Sequence, residues 1–308
     1  VSLFTELCRK MYMTQRDLAE FLAKAPYRYK VYSIPKRNGK GSRTIAQPSK
    51  ELKFVQRLFV DNFLSKFPVH SSAMGYREGI SIKDNAYAHV RSRYLLKMDF
   101  KDFFPSITPE LLFYVLEFND ISLATEDKYL LSRLLFYKSK VKGSKLVLSI
   151  GAPSSPILSN IIMYLFDLEM SAYCSDLNIS YTRYADDITF SCNERGVLYS
   201  VPDVVETMLQ HTTLGCVEVN ASKTIFSSKR NNRHVTGIVL SNDGKLSLGR
   251  DKKRLISAMV HRFKSSSISE EEVVRLRGYL AFCQYIEPLF ILRLREKYGV
   301  DVMGMLIK

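Results

Sequence analysis

Two adjacent acids sit in the most constrained stretch of the chain, Ser180-Tyr181-Thr182-Arg183-Tyr184-Ala185-Asp186-Asp187-Ile188-Thr189-Phe190-Ser191. Aromatic and β-branched residues on both sides predict a strand, a tight turn and a second strand. Carboxylates at such a turn repel each other, and a divalent cation beside them is the economical remedy. An Asp-Asp pair alone also suits a polar hairpin tip. A third acid shifts the balance: Asp99 closes another apolar strand, Tyr94-Leu95-Leu96-Lys97-Met98-Asp99. Three acids at the ends of neighbouring strands can hold two Mg²⁺ ions, which stabilise the attacking and leaving oxygens of an in-line phosphoryl displacement. Hard oxygen ligands suit Mg²⁺ or Mn²⁺.

The charge balance points to a polyanionic partner. The 308 residues carry 45 basic and 31 acidic side chains, a net of +14. The excess is concentrated between Ala221 and Lys264, where eleven Lys and Arg face only Asp243 and Asp251. Such a block predicts a nucleic-acid track. No segment reaches the roughly 20 apolar residues of a membrane span, and no signal-peptide pattern opens the chain. Five scattered cysteines lack zinc spacing, so a reduced, cytoplasmic protein is expected.

Local signals divide the rest. Thr14-Gln15-Arg16-Asp17 predicts a capped helix ended by Pro26. Tyr27 to Ile34 alternates like a strand, Asn38-Gly39 marks a hairpin turn, and Arg43-Thr44-Ile45 starts the return. Helices are expected over Glu51 to Lys66, after Thr108-Pro109-Glu110, over Glu126 to Tyr137, from Ser155 to Cys174, and from Pro202 to about His211. Strands follow around Val217–Asn220, Lys223–Ser227 and His234–Leu240. A basic helix spans Gly249 to Phe263, and a capping box at Ser269 opens a helix running past Tyr285.

The motifs, in order, resemble the reverse transcriptases: Lys36 to Pro48, Asp99-Phe100-Lys101-Asp102-Phe103-Phe104, Gly151-Ala152-Pro153-Ser154-Ser155-Pro156, Tyr184-Ala185-Asp186-Asp187, Lys223-Thr224 and Val235-Thr236-Gly237. Asn85-Ala86-Tyr87-Ala88-His89, Val235-Thr236-Gly237 and Pro26-Tyr27-Arg28-Tyr29 narrow the resemblance to the retron type. It implies an α+β right-hand polymerase with fingers, an antiparallel-sheet palm and a small helical thumb. The implied division is 1–93 and 120–155 for the N-terminal helix and fingers, 94–119 and 156–244 for the palm, and 245–308 for the thumb.

The resemblance also implies roles. Asp99, Asp186 and Asp187 are the catalytic metal ligands, joined by the backbone carbonyl of Phe100. Lys36, Arg43, Phe104, Gly151 and Lys223 serve the incoming deoxynucleoside triphosphate, with Phe104 as a steric gate against a 2′-OH. Asp102 is set aside as a surface acid. Asn85, His89, Val235, Thr236, Gly237, Arg250, Lys253 and Arg254 are expected to bind RNA. Ile150 stands where the family commonly has Gln. Implied partners are a cognate structured noncoding RNA, primed at a 2′-OH to give branched RNA–DNA, and a separate effector protein in antiphage defence. A group II intron-like or diversity-generating enzyme is the alternative within the class. A non-catalytic RNA-binding scaffold is the alternative outside it, and the cost of unused clustered carboxylates speaks against it.

Overall fold

The structure is a computed structural model describing residues 2–36 and 41–307. The expected Asn38-Gly39 turn lies outside the described residues. Two compact units emerge: one comprises Val1–Gly79, Leu96–Phe190 and Gly196–Ile225, the other Ile80–Leu95, Ser191–Arg195 and Phe226–Lys308. Among the described residues no helix is long and apolar enough to cross a membrane.

The first unit opens with helices Leu3–Met11 and Gln15–Lys24; Thr14 and Asp17 close a reciprocal capping box on the second. Strands Tyr29–Pro35 and Ser42–Pro48 pair antiparallel, with Ile34 opposite Arg43. Helices Lys50–Asn62, Pro109–Phe118, Thr125–Leu135 and Val201–Thr212 lie where apolar spacing and caps predict them. The long helix expected from Ser155 to Cys174 is instead two, Ser155–Ile162 and Tyr164–Asp176. Met163, with ψ 6°, interrupts the helical backbone between them. A uniformly apolar stretch carries no local signal for such a break.

The central sheet runs in the order Ser180–Tyr184, Asp187–Cys192, Tyr94–Lys101, Glu218–Val219, and Ile225–Ser228 also pairs with Tyr94–Lys101. Leu95, Leu96, Met98, Asp99 and Phe100 are all buried. This two-sided burial accounts for a nearly continuous apolar run in place of strict alternation. Phe100 meets Phe166 edge-on at 5.8 Å and Phe103 at 5.5 Å between ring centroids.

The second unit holds the short helix Ile82–Tyr87, capped reciprocally by Ser81 and Asp84. A three-stranded sheet of Arg233–Val235, Ile238–Leu240 and Leu246–Ser247 lies in the same unit. The stretch His234–Leu240, read as one strand, is a hairpin, because Thr236 (φ 46°) and Gly237 (φ 81°) both turn left-handed. Two such residues make the tight turn that matches strand twist. Helices Arg250–Lys264, Glu270–Ile286, Pro288–Tyr298 and Val300–Leu306 follow. Val235, Ile238 and Leu240 share one core with Ile256, Val260, Leu276, Leu294 and Met303.

Candidate functional site

The acidic hairpin has a two-residue tip. Tyr184 ends one strand, Ala185 and Asp186 turn, and Asp187 opens the next. Ala185 adopts φ 57°, a left-handed conformation that costs a non-glycine residue roughly 1 kcal/mol or more. The Phe100 N–H donates to the Asp186 carbonyl at 3.0 Å, fastening this tip to the strand that carries Asp99. The Asn220 N–H holds the Asp99 carbonyl at 2.7 Å, and Lys223 Nζ reaches Asp99 Oδ1 at 2.7 Å. The fold thus gathers Asp99, Phe100, Asp186, Asp187 and Lys223.

The electrostatics are those of crowded like charges. The half-buried Asp186 carboxyl is raised, first by desolvation and then by Asp99, while Lys223 and Arg43 pull the other way. Asp187 as a residue is open to solvent, yet protein crowds it enough that desolvation, then Asp186 and Asp99, push its carboxyl up to about 6. Lys97 and Lys223 oppose that rise. A divalent cation would relieve this repulsion, so the donor chemistry fits Mg²⁺ or Mn²⁺. Among the described residues no three His, Cys, Asp or Glu side chains converge into a ready metal cage. Mg²⁺ at phosphoryl-transfer sites is commonly held by one or two carboxylates plus substrate phosphates, so a complete protein cage is not required.

The other expected nucleotide contacts fall in the same unit. Phe103 is buried, whereas the next ring, Phe104, is half-exposed. Asp102 is exposed. Arg43 is exposed on its strand and close enough to Asp186 and Tyr76 to lower both their pKa values. Lys36 is exposed at the end of the same hairpin. Gly151 has φ 126°, and a Cβ there would stand 3.2 Å from the Ala46 carbonyl, so this position needs glycine. Ile150 contributes its carbonyl, which accepts from the Ala46 N–H at 3.0 Å.

Sequence reasoning passed over three residues around the tip. Lys97 sits two positions before Asp99, on the same side of the strand, and its charge is felt by Asp187. Tyr76, left-handed at φ 60° and exposed, lies 6.2 Å from the Tyr184 ring. Arg183 is fully buried beneath the hairpin. A lone charged residue inside the strand Ser180–Tyr184 was the available signal for the last.

Several expected RNA contacts need correction. Asn85, His89 and Val235 are buried, which removes their side chains from direct RNA contact in this structure. His89 Nδ1 lies 2.8 Å from Ser191 Oγ, and burial pushes its pKa down to about 3. Val235 belongs to the core of its unit. Thr236 is half-buried and donates to the Ile82 carbonyl at 3.2 Å, tying the Val-Thr-Gly turn to the helix of the Asn-Ala-x-x-His motif. Gly237 is exposed. On the basic helix Arg250 and Arg254 are exposed, but Lys253 turns inward to Glu287 at 2.5 Å. Glu287 also accepts from the Leu248 N–H and Ser247 Oγ. Arg233, counted in the basic block, is buried and donates to the carbonyls of Ser92 and Ser241.

The chain resembles known proteins along most of its length. Residues 34–240 match the family model described as reverse transcriptase (RNA-dependent DNA polymerase). Retron Ec83 reverse transcriptase of Escherichia coli is 46% identical over 281 residues, covering 91% of this chain and 90% of the relative. Retron Ec86 reverse transcriptase, also of Escherichia coli, is 33% identical over 288 residues, covering 91% and 85%. A solved Candida tropicalis telomerase in complex with a TWJ fragment of telomeric RNA superposes with TM-score 0.50 at 14% identity, covering 93% of this chain and 58% of that one, a likeness of fold alone. The hairpin that presents Asp186 and Asp187 beside Asp99 is therefore part of a right-hand polymerase fold, and the chain belongs to the retron-type reverse transcriptases, which are RNA-directed DNA polymerases.

Proposed function

We propose that the enzyme copies part of a cognate structured noncoding RNA into DNA by two-metal phosphoryl transfer at Asp99, Asp186 and Asp187, starting from an RNA 2′-OH and leaving branched RNA–DNA. In this reading the three carboxylates and the Phe100 carbonyl hold Mg²⁺, with Mn²⁺ as a substitute. Bound divalent ions supply Lewis-acid stabilisation of both reacting oxygens. Lys223 balances the charge of Asp99, and Arg43, with Lys36, clamps the triphosphate. Phe104 rests beneath the sugar and excludes a 2′-OH. Residues 1–93 and 120–155 act as fingers, 94–119 and 156–244 as palm, and 245–308 as thumb. A cytoplasmic antiphage role with a separate effector follows the retron family.

The observation that supports the mechanism is the crowding of Asp187, whose carboxyl is pushed up to about 6 by desolvation first and then by repulsion from Asp186 and Asp99. Primer extension and RNA binding by the Asp186→Asn/Asp187→Asn double variant test it. Extension should vanish while RNA affinity stays within about twofold, since phosphate and base contacts lie elsewhere. Wild-type extension rates would overturn the assignment.

A further inference from the structure

Asp186 is held through both peptide planes that flank it. On one side the Phe100 N–H binds the Asp186 carbonyl at 3.0 Å. On the other, Arg183 Nη1 donates to the Ala185 carbonyl at 3.2 Å. That guanidinium is fully buried and anchored from below. Its Nη2 and Nε bind Asp167 at 2.6 and 2.8 Å, and Nη1 also meets Asn160 Oδ1 at 3.2 Å. Tyr181 donates to Asp167 at 2.7 Å, and Asn160 donates to the Gly75 carbonyl at 2.8 Å. Gly75 backs directly onto the tip, where an added Cβ would come 3.1 Å from the Ala185 nitrogen.

A buried ion pair is a poor source of net stability, because desolvation offsets its attraction and apolar replacements of similar volume are often neutral or better. The Arg183–Asp167 pair therefore calls for another explanation. Ala185 supplies one: its left-handed backbone is unfavourable and persists only where surroundings over-determine it. We propose that Arg183, fixed by Asp167 and Asn160, is a positioning residue that locks the Ala185–Asp186 peptide and thereby sets where the Asp186 and Asp187 carboxylates point. This rests on the reading of those carboxylates as metal ligands. Only a planar fork can bind a carboxylate and a carbonyl at fixed angles, so lysine cannot substitute.

Two variants test it. Arg183→Lys keeps the charge beside Asp167 and loses the fork. Arg183→Met/Asp167→Leu removes both charges at similar volume. Each is measured for melting temperature, for Mn²⁺ affinity by electron paramagnetic resonance on the enzyme–RNA complex without nucleotide, and for kcat and KM in primer extension. Both variants should remain folded, with Mn²⁺ affinity down at least about fivefold and kcat down about 10²-fold, the scale of a small misplacement of reacting groups. KM for primer–template should not move. Wild-type Mn²⁺ affinity and kcat in the folded charge-free variant would overturn the proposal. So would failure of both variants to fold, which would make the pair a folding element. Asp186→Asn, run in parallel, separates the two readings. If it extends primers normally the carboxylate assignment fails; if it alone is impaired, only the role of Arg183 fails.

Discussion

Lys223 Nζ and Asp99 Oδ1 lie 2.7 Å apart although 124 positions separate them in the chain. The lysine arrives at the end of a single helical turn, Ala221–Lys223, directly after the residue whose N–H holds the Asp99 carbonyl. One short segment thus fixes both the backbone and the charge of Asp99.

Removing that charge should move the acid limb of catalysis. Lys223 is among the groups that hold the Asp187 carboxyl down, against desolvation and two neighbouring acids. In Lys223→Met the Asp187 pKa rises above about 6, so a larger share is protonated at a given pH. Single-nucleotide extension from pH 5.5 to 8.5 should show half-maximal rate at higher pH than in the wild type, and Lys223→Arg should restore it. An unchanged acid limb would refute the coupling.

Phe104→Ala should relax sugar selection. Phe103 is packed into the core and Phe104 is half-exposed beside it, so only the second ring is free to meet a nucleotide. Discrimination between deoxy- and ribonucleotides, measured as the ratio of kcat/KM, should fall on the order of tenfold or more. An active variant with unchanged preference places the gate elsewhere.

His89 should make the fold acid-sensitive. Its folded pKa is lowered to about 3, below the ordinary value of 6.5, so between those limits the unfolded chain binds the extra proton. Stability from this group is complete above pH 6.5 and falls as pH drops toward 3, by about 1.4 kcal/mol per unit. Denaturant titrations at pH 7.5, 6 and 5 should show a shallower loss in His89→Gln than in the wild type. Equal slopes would mean another group dominates.

The basic helix should split by function. Arg250→Gln/Arg254→Gln should lower the salt dependence of RNA binding by up to about two slope units and weaken cognate and scrambled RNA alike. Lys253→Gln should leave the slope unchanged and cost about 1–2 kcal/mol of stability, because it leaves Glu287 without its charged partner. If Lys253→Gln flattens the salt dependence instead, the helix face has been misassigned.

Features governed by near neighbours were legible in the sequence. Thr14 and Asp17, or Ser269 and Glu272, satisfy the free N–H groups of a helix start within one turn, so the residue types alone declare the boundary. The hairpin of Asp186 and Asp187 was readable because strand-forming residues flank a two-residue turn. The Val235-Thr236-Gly237 hairpin was not, because a threonine in the left-handed region has no favourable local signal. Its hydroxyl bond to Ile82 crosses 154 positions.

Sequence alone determined the order of the elements, the identity of the acidic tip and the net positive charge. Tertiary structure decided which charges are available and which are spent. Lys253 and Glu287, 34 residues apart, neutralise each other. Arg183 goes to Asp167 beneath the tip, Arg233 goes to buried carbonyls, and His89 loses its charge to burial. Periodicity and capping are short-range preferences written in adjacent residues. The fate of an ionisable group depends on desolvation and on partners brought from distant segments, and those exist only once the chain has folded.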